Sequence, residues 1–307
     1  MPRLATAIFL SLTLVLAACG KAPDKTQAAQ ASAPAAQPAP DPGPVPLGPL
    51  PRVAAPSHYR LALTIDPAKT GFSGLADIDL VFANPVRTLY MHGLGLRVKS
   101  VVLHTPKGGD IAATYKEVDK SGVALITFAK ATPVGAATLS FVYDADYDRS
   151  LAGLYKVVAR GDAYAFTQFE SIDARRAFPG FDEPGFKATF DVSVTAPDGD
   201  KVIGNTPVVS DTGAGNGMMR WTFETTRPLP TYLIALAVGP LDIVDMGDIP
   251  ANQWRDHPLH LRGIAAKGMG PKLQYALSLT PAVVTALENY YQLPYPFQKL
   301  DILAVPG

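Results

Sequence analysis

Between residues 52 and 244 apolar residues alternate with small or polar ones in short runs, the period of half-buried strands. Tyr59-Arg60-Leu61-Ala62-Leu63-Thr64-Ile65 alternates until Asp66-Pro67 ends it, and Leu75–Phe82 alternates until Asn84-Pro85. Further predicted strands are Ser100–His104, Val123–Phe128, Ala137–Tyr143, Ala163–Phe169, Lys187–Thr195, Arg220–Thr225 and Tyr232–Val238. Short runs separated by Gly, Pro and Asp turns predict a mainly β fold, an antiparallel sandwich or saddle-like sheet. Gly213-Ala214-Gly215-Asn216-Gly217 has neither a following Lys-Ser/Thr nor a helix, so it reads as a turn and not as a phosphate loop.

After about residue 257 the period changes. His260–Ile264 suits another strand, whereas Leu273, Leu277, Val284, Leu287 and Tyr291 recur at helical intervals across 271–291. Pro281 interrupts this pattern. With Thr280 as N-cap and Pro281 at the first helical position, the run admits a second helix in place of a kinked one. Leu293-Pro294-Tyr295-Pro296 stops the helix, and Lys299–Val305 reads as a buried strand. One helix and one apolar strand cannot cover both of their faces, so further chain is expected after them.

The N-terminal hydropathy has a different meaning. Arg3 precedes an apolar run from Ala5 to Leu16, too short to span a membrane, and small residues follow. Residues 1–18 are therefore predicted to be a signal peptide. Leu16-Ala17-Ala18-Cys19 resembles a bacterial lipobox, which implies cleavage before Cys19 and acylation of it; the alternative is an ordinary signal with a chance cysteine. Several acyl chains anchor stably where one binds only marginally. Gly20 in place of Asp at the next position favours the outer membrane, which predicts a lipid-anchored location in the bacterial cell envelope, on its periplasmic face. Nine of the 29 prolines fall in 20–51, so residues 19–51 read as a lipidated cysteine and a semi-rigid spacer. A Pro-rich recognition ligand is the rival reading of that spacer.

Composition narrows the function. Lys plus Arg and Asp plus Glu are 27 each, and without a basic stripe a nucleic-acid partner is excluded. The single cysteine, Cys19, excludes a disulfide framework and a Cys-based metal site. With 48% hydrophobic residues the chain can bury a large core.

The acids include only five glutamates, and two of them, Glu170 and Glu183, lie in the stretch 167–190 together with adjacent Arg175 and Arg176. By residue type alone this is an irregular loop between strands, with Arg175, Arg176, Asp182 and Glu183 pairing to fix its geometry. Glu170 differs, because it ends the apolar strand of Tyr164 and Phe166, where a carboxylate can point into a cleft. Gln168, two positions back, shares that strand face.

Thr167-Gln168-Phe169-Glu170, then Ala174-Arg175-Arg176-Ala177-Phe178-Pro179-Gly180-Phe181-Asp182-Glu183-Pro184 and Phe186–Phe190, resemble the aminopeptidase N family of zinc metallopeptidases. The likeness extends over roughly 52–307. It includes Ser57-His58-Tyr59, Ala152–Tyr155, Gly204–Pro207, Thr231–Leu233, Tyr295–Asp301 and Ala304–Pro306. Gly180 stands where the family often has Cys, and Leu229 where Met is common.

The resemblance implies a β domain over 52–244 and, over 245–307, the first strand–helix–strand elements of an α+β thermolysin-like catalytic domain. It implies a membrane-anchored enzyme that removes N-terminal residues from peptides, with this part recognising the substrate N-terminus. Glu170 would bind the ammonium, and Gln168 would line the cleft. The family's zinc is held by an H-E-x-x-H helix, preceded by a G-A-M-E-N loop; neither occurs in these 307 residues. None of His58, His92, His104, His257 and His260 is followed by Glu, so no catalytic or metal-binding residue is assigned here. Zinc is expected for the complete enzyme, and the 307-residue chain alone is expected to be inactive. The other reading is a non-catalytic lipoprotein module that uses the same β domain for peptide binding or adhesion.

Overall fold

The computed structural model describes residues 43–306; the predicted signal peptide, Cys19 and the predicted spacer up to residue 42 lie outside the described residues. The strands of the first half are β1 (Ala54–Thr64), β2 (Gly71–Phe82), β3 (Thr88–His92), β4 (Arg97–Thr105), β5 (Gly109–Asp119), β6 (Val123–Phe128) and β7 (Gly135–Asp146). Then come β8 (Gly153–Ala159), β9 (Asp162–Gln168), β10 (Thr189–Pro197), β11 (Lys201–Ile203), β12 (Val208–Gly215), β13 (Met218–Phe223) and β14 (Ala237–Gly239). The last elements are β15 (Leu241–Ile249), β16 (Leu259–Ala266), the helix α1 (Gln274–Tyr291) and β17 (Lys299–Ala304).

The fold is mainly β, in three sheets. The largest has ten strands in the order β12-β13-β10-β1-β2-β7-β4-β5-β6-β3. Its strands pair antiparallel except β1 and β10, which run parallel with Tyr59 opposite Phe190. That pair departs from the purely antiparallel sheet expected. Alternation holds along it: Leu61 and Leu63 of β1, Ile78 and Leu80 of β2, and Leu139, Phe141 and Tyr143 of β7 all enter one core. A register shift between Pro56 and His58 re-phases β1, so that Tyr59 faces inward with Leu61.

A four-stranded sheet, β11-β14-β9-β8, forms the next layer. Tyr164, Ala165 and Phe166 of β9 are all buried, because this sheet is covered on both faces. Ala165 belongs to the large core, whereas Tyr164 and Phe166 pack with Leu241, Ile264 and Ala266 of the third sheet. The third sheet, β15-β16-β17, joins β16 to β17 in parallel across α1. β15 begins at Leu241 and crosses the 244/245 position. The helix and the 3-10 turn before it lie on Leu259, Leu261 and Ala265, the turn through Leu273 and the helix through Leu277 and Val284. The helix approaches closely at Gly263, where an added Cβ would meet Leu277 Cδ1 at 2.6 Å.

Several local expectations are corrected. Pro281 lies inside one continuous helix and does not start a second. Leu277, Thr280, Val284 and Glu288 form an unbroken buried stripe through it, so packing overrides the lost hydrogen bond. Leu287 and Tyr291, expected on the buried face, are exposed. The 213–217 glycine run is mostly strand: β12 reaches Gly215, and only Asn216-Gly217, with φ of 53° and 70°, make the hairpin turn. Thr231–Leu233 is a 3-10 turn, and of the predicted 232–238 strand only Ala237 and Val238 pair, as the first two residues of β14. β17 is half-buried at most, with Leu303 and Ala304 exposed.

Candidate functional site

β9 delivers the stretch of interest from the middle layer. Buried on both faces, the strand is held firmly up to Phe166; Gln168 is its last residue and is exposed. Phe169 turns back into the core. Glu170 follows in an exposed turn that is closed by the Asp173 N–H donating to the Phe169 carbonyl (2.9 Å). The Glu170–Ser171 peptide is cis. Gln168 and Glu170 lie together, with the Glu170 N–H 3.5 Å from Gln168 Oε1. Among the described residues no cation pairs with the Glu170 carboxylate. Thr167, on the opposite face of the strand, bonds to Leu236 instead.

The loop beyond Glu170 is built around a buried charge pair. Arg175 is 6% exposed and Asp182 2%. The Arg175 Nε and its backbone N–H both donate to Asp182 Oδ2, at 3.0 and 3.2 Å. The remaining guanidinium nitrogens donate to the carbonyls of Asp182 (3.1 Å) and Ser121 (2.7 Å). Thr231 Oγ1 donates to Asp182 Oδ1 at 2.6 Å, so the guanidinium engages one carboxylate oxygen and not a two-oxygen fork. Each buried polar atom nevertheless has a partner, which offsets the desolvation of both charges.

Three further contacts fix the loop. The Asp182 N–H donates to His92 Nδ1 (3.1 Å), and the His92 and Gly180 backbones exchange hydrogen bonds of 2.8 and 2.9 Å. Accepting at Nδ1 places the imidazole proton on Nε2. Burial, with the Arg175 charge second, pushes the His92 pKa down to about 3. The Phe181 N–H donates to the Tyr59 hydroxyl (3.0 Å), whose ring stacks on Phe190 at 4.6 Å. Burial raises the Tyr59 pKa, so this phenol stays neutral.

Arg176 and Glu183 work at the rim. Arg176 donates to Asp173 Oδ1 (2.7 Å) and Asp148 Oδ2 (2.8 Å), tying the Glu170 turn to the segment before β8. Glu183 Oε1 accepts from the Leu50 N–H (2.6 Å). The structure thus joins Arg175 to Asp182, and Gln168 to Glu170, while Arg176 and Glu183 take partners outside the 174–184 motif. The partners His92, Thr231 and Asp148 have no local sequence signal. They stand 90, 49 and 28 residues from the groups they bind.

Among the described residues no group of three or more His, Cys, Asp or Glu side chains is placed to hold a metal. His260 lies between Asp245 and Asp248, at 3.4 and 2.9 Å, and His257 beside Asp256 at 2.8 Å. What the site offers chemically is an exposed carboxylate and amide at the end of a rigid strand, backed by a fully bonded loop.

Comparison with known proteins identifies this architecture. The Peptidase M1 N-terminal domain matches residues 55–233, which take in β1 through the Thr231 turn and the whole 167–190 stretch. An aminopeptidase N of Acetobacter pasteurianus is 30% identical over 265 residues, covering 85% of this chain and 71% of that protein. Aminopeptidase M1-A of rice (Oryza sativa subsp. japonica) is 30% identical over 266 residues, 84% of this chain and 29% of its own length. The puromycin-sensitive aminopeptidase of Caenorhabditis elegans is 29% identical over 266 residues, with 84% and 27% covered. The chain belongs to the Peptidase M1 family, as its N-terminal portion, and it spans less than a third of the rice and nematode relatives.

Two outcomes follow from the loop. Asp182→Ala leaves the Arg175 guanidinium buried without its carboxylate, and losing one member of a buried pair costs about 3–5 kcal/mol. Urea denaturation of wild type and variant measures this; an unchanged midpoint would show that the pair holds nothing.

His92 gives a pH dependence with a defined sign. Its pKa is lower folded, about 3, than unfolded, roughly 6.5. Below about pH 6.5 the unfolded chain takes up a proton that the folded chain refuses, so stability falls as the pH drops toward 3. Above that window the group contributes nothing. His92→Gln keeps an acceptor but cannot titrate, and at pH 4.5 it should lose about 2 kcal/mol less than wild type, relative to pH 7. Equal losses in both proteins would mean that His92 is protonated without penalty.

Proposed function

We propose that this chain is part of a membrane-anchored zinc aminopeptidase, and that Glu170 binds the free N-terminal ammonium of its peptide substrates. One observation carries the reading. In a chain whose relatives are aminopeptidases, the exposed turn just past β9 holds the carboxylate of Glu170, which pairs with no cation among the described residues, directly before the loop that the rest of the fold immobilises.

The chemistry suits the substrate. A peptide amine has a pKa of roughly 7.7–8.0, so near neutral pH it is largely an ammonium. A carboxylate accepts its N–H donors, and the neighbouring Gln168 amide oxygen supplies a further acceptor. Binding the amine at a fixed point lets an exopeptidase count one residue inward, because the first peptide bond then falls at a set distance. Rigidity matters here, since a misplaced anchor presents the wrong bond.

Zinc, which the family resemblance implies for the complete enzyme, has no set of ligands among the described residues. Those residues do not fit the metal, so the bond-breaking chemistry belongs to residues outside this sequence, and the 307-residue chain alone is inactive in this reading. The role of 52–244 is recognition, and 245–307 is the start of the catalytic domain. Acylation at Cys19, with 20–51 as a spacer, places the enzyme on the periplasmic face of the outer membrane.

In the natural full-length enzyme, Glu170→Ala should lower kcat/KM for free-amine substrates by roughly thirty- to several-thousand-fold, the equivalent of about 2–5 kcal/mol for removing one partner of a charge pair that the bound substrate desolvates. Zinc content, read by elemental analysis, should not change. Full activity in the variant would reduce Glu170 to a strand-end residue. Anchoring has its own test: palmitate fed to cells should label the protein, and Cys19→Ser should abolish the label. Label that persists in the variant would rule out the lipobox.

A further inference from the structure

The helix α1 is apolar on more faces than the fold covers. Among its 18 residues the one charged side chain is Glu288, and it is buried, together with Leu277, Thr280 and Val284. Tyr275, Leu279, Val283, Leu287 and Tyr291 form a second row along the helix, and they are exposed, from 45% at Leu279 to 77% at Tyr275. A helix at a protein surface sets charged and polar residues opposite its apolar stripe, whereas one that is apolar beyond that stripe has a second layer to bury. Scattered exposed apolar residues are ordinary, but a contiguous row of them marks an interaction site.

This row forms one wall of a groove of about 910 Å³. Leu293 and Tyr295, from the connection after the helix, and Leu300 and Ile302 of β17 form the other. The reverse face of β17 is already committed: Asp301 accepts from Arg262 at 2.8 and 2.9 Å and also from the Lys299 ammonium. Leu300 and Ile302 alternate with those residues and are only half-buried. The helix thus covers one part of this sheet and leaves the part over β17 open.

The groove's chemistry selects its occupant. Its buried polar side chains have partners within the protein: Thr280 Oγ1 donates to the Ala276 carbonyl at 2.9 Å, and Glu288 accepts from Arg255, Asn252 and the Tyr295 N–H. A segment that enters must satisfy its own backbone, as a helix does and a lone strand does not. A strand would find its partners on the free edge of β17, the outer strand of its sheet, and not over its face. Residues four apart also form the ridge through which helices most commonly interlock, at a crossing angle of about −50°. The relatives indicate the source. This chain matches 29% of the rice protein's length and 27% of the nematode protein's, so more than two thirds of each lies outside the shared stretch.

We propose that an amphipathic helix from the part of the natural polypeptide after residue 307 lies in this groove, its apolar face against the Tyr275–Tyr291 row and β17. This rests on the reading above, in which the enzyme extends past these 307 residues, and names the surface that receives the extension and the form it takes there.

Photo-cross-linking in the natural full-length protein tests it, with p-benzoylphenylalanine in place of Tyr275, Leu279, Leu287 or Tyr291, one at a time, and the adducts mapped by peptide mass spectrometry. All four probes should attach to one segment beyond residue 307 of the same polypeptide, at sites three or four residues apart. At Tyr275 and Tyr291 the probe replaces an exposed aromatic ring, so these two variants keep the fold, which unchanged zinc content checks. Ala286 is exposed on α1 outside the groove, and the probe there should give at least tenfold less of the adduct. Adducts at alternate residues, as a strand would give, adducts joining two copies of α1, adducts with another protein, no adduct, or equal yield from Ala286 would each overturn the assignment. A natural protein with no residues after 307 would overturn this and the zinc reading together. A wrong adduct in a longer protein overturns this alone, because the kinetics of Glu170→Ala do not depend on it.

Discussion

The buried contact between Arg175 and Asp182 is the constraint on which the rest of this site depends. It gathers Ser121 from the β5–β6 turn, Thr231 from the turn before β14 and His92 from the end of β3 around one pair of side chains. Such a pair is not a large source of net stability, since both ions lose their hydration. Its effect is geometric. A guanidinium has its donors in one plane, and all three of its nitrogens are bonded here, to Asp182 Oδ2 and to the carbonyls of Asp182 and Ser121, so a shift of the loop would break buried bonds. The segment 169–188 consequently has one position between the ten-stranded and four-stranded sheets, although it contains almost no regular structure.

That fixed loop explains how an exposed residue can be held firmly. Glu170 projects from a turn whose two ends are immobilised, by β9 on one side and by Ala174–Arg176 on the other. Functional residues on loops over a rigid scaffold are common because irregular backbone can present groups that strands keep facing their neighbours. Glu288 shows the same residue type used in the opposite way. Its carboxylate is buried and accepts from Arg255 (3.0 Å), Asn252 (2.6 Å) and the Tyr295 N–H (2.9 Å), fastening 250–258 and the helix end together. With three of its roughly four lone-pair sites committed to the protein, Glu288 is a structural group. Glu170 has its carboxylate entirely uncommitted among the described residues.

The layers divide the chemistry. β9 leads into the Glu170 turn and carries Thr167 on the face away from Gln168, so one strand borders both the exposed carboxylate and a cavity that Thr167 lines with Lys299 and Asp301. Alternation along a strand sends neighbouring side chains to opposite faces, and a sheet covered on both sides turns that into two separate environments. The Arg262–Asp301 pair lies at the junction of the second and third sheets, while Arg175–Asp182 lies at the junction of the first and second. Each junction between layers in this fold carries a buried or half-buried ion pair.

By itself the sequence determined the local elements and the chemistry-bearing stretch. Period-two alternation marked β1, β2, β6, β7 and β10, since each has one face in the core and one toward water; the 167–190 motif singled out Glu170, Arg175 and Asp182 by residue type. Only tertiary structure decided the rest. The hydropathy pattern did not show β9 as a middle-layer strand, because Tyr164, Ala165 and Phe166 are all buried by different neighbours. Pro281 turned on packing, and the reach of β12 to Gly215 on pairing with β13, neither of which a local window contains. His92, Thr231, Asp148 and the sharing of Asp301 between two cations became visible only when residues tens of positions apart met. The reason is physical. Periodicity reports how one segment divides its own faces, whereas a buried charge pair and a cavity are properties of several segments that solvent has left at once.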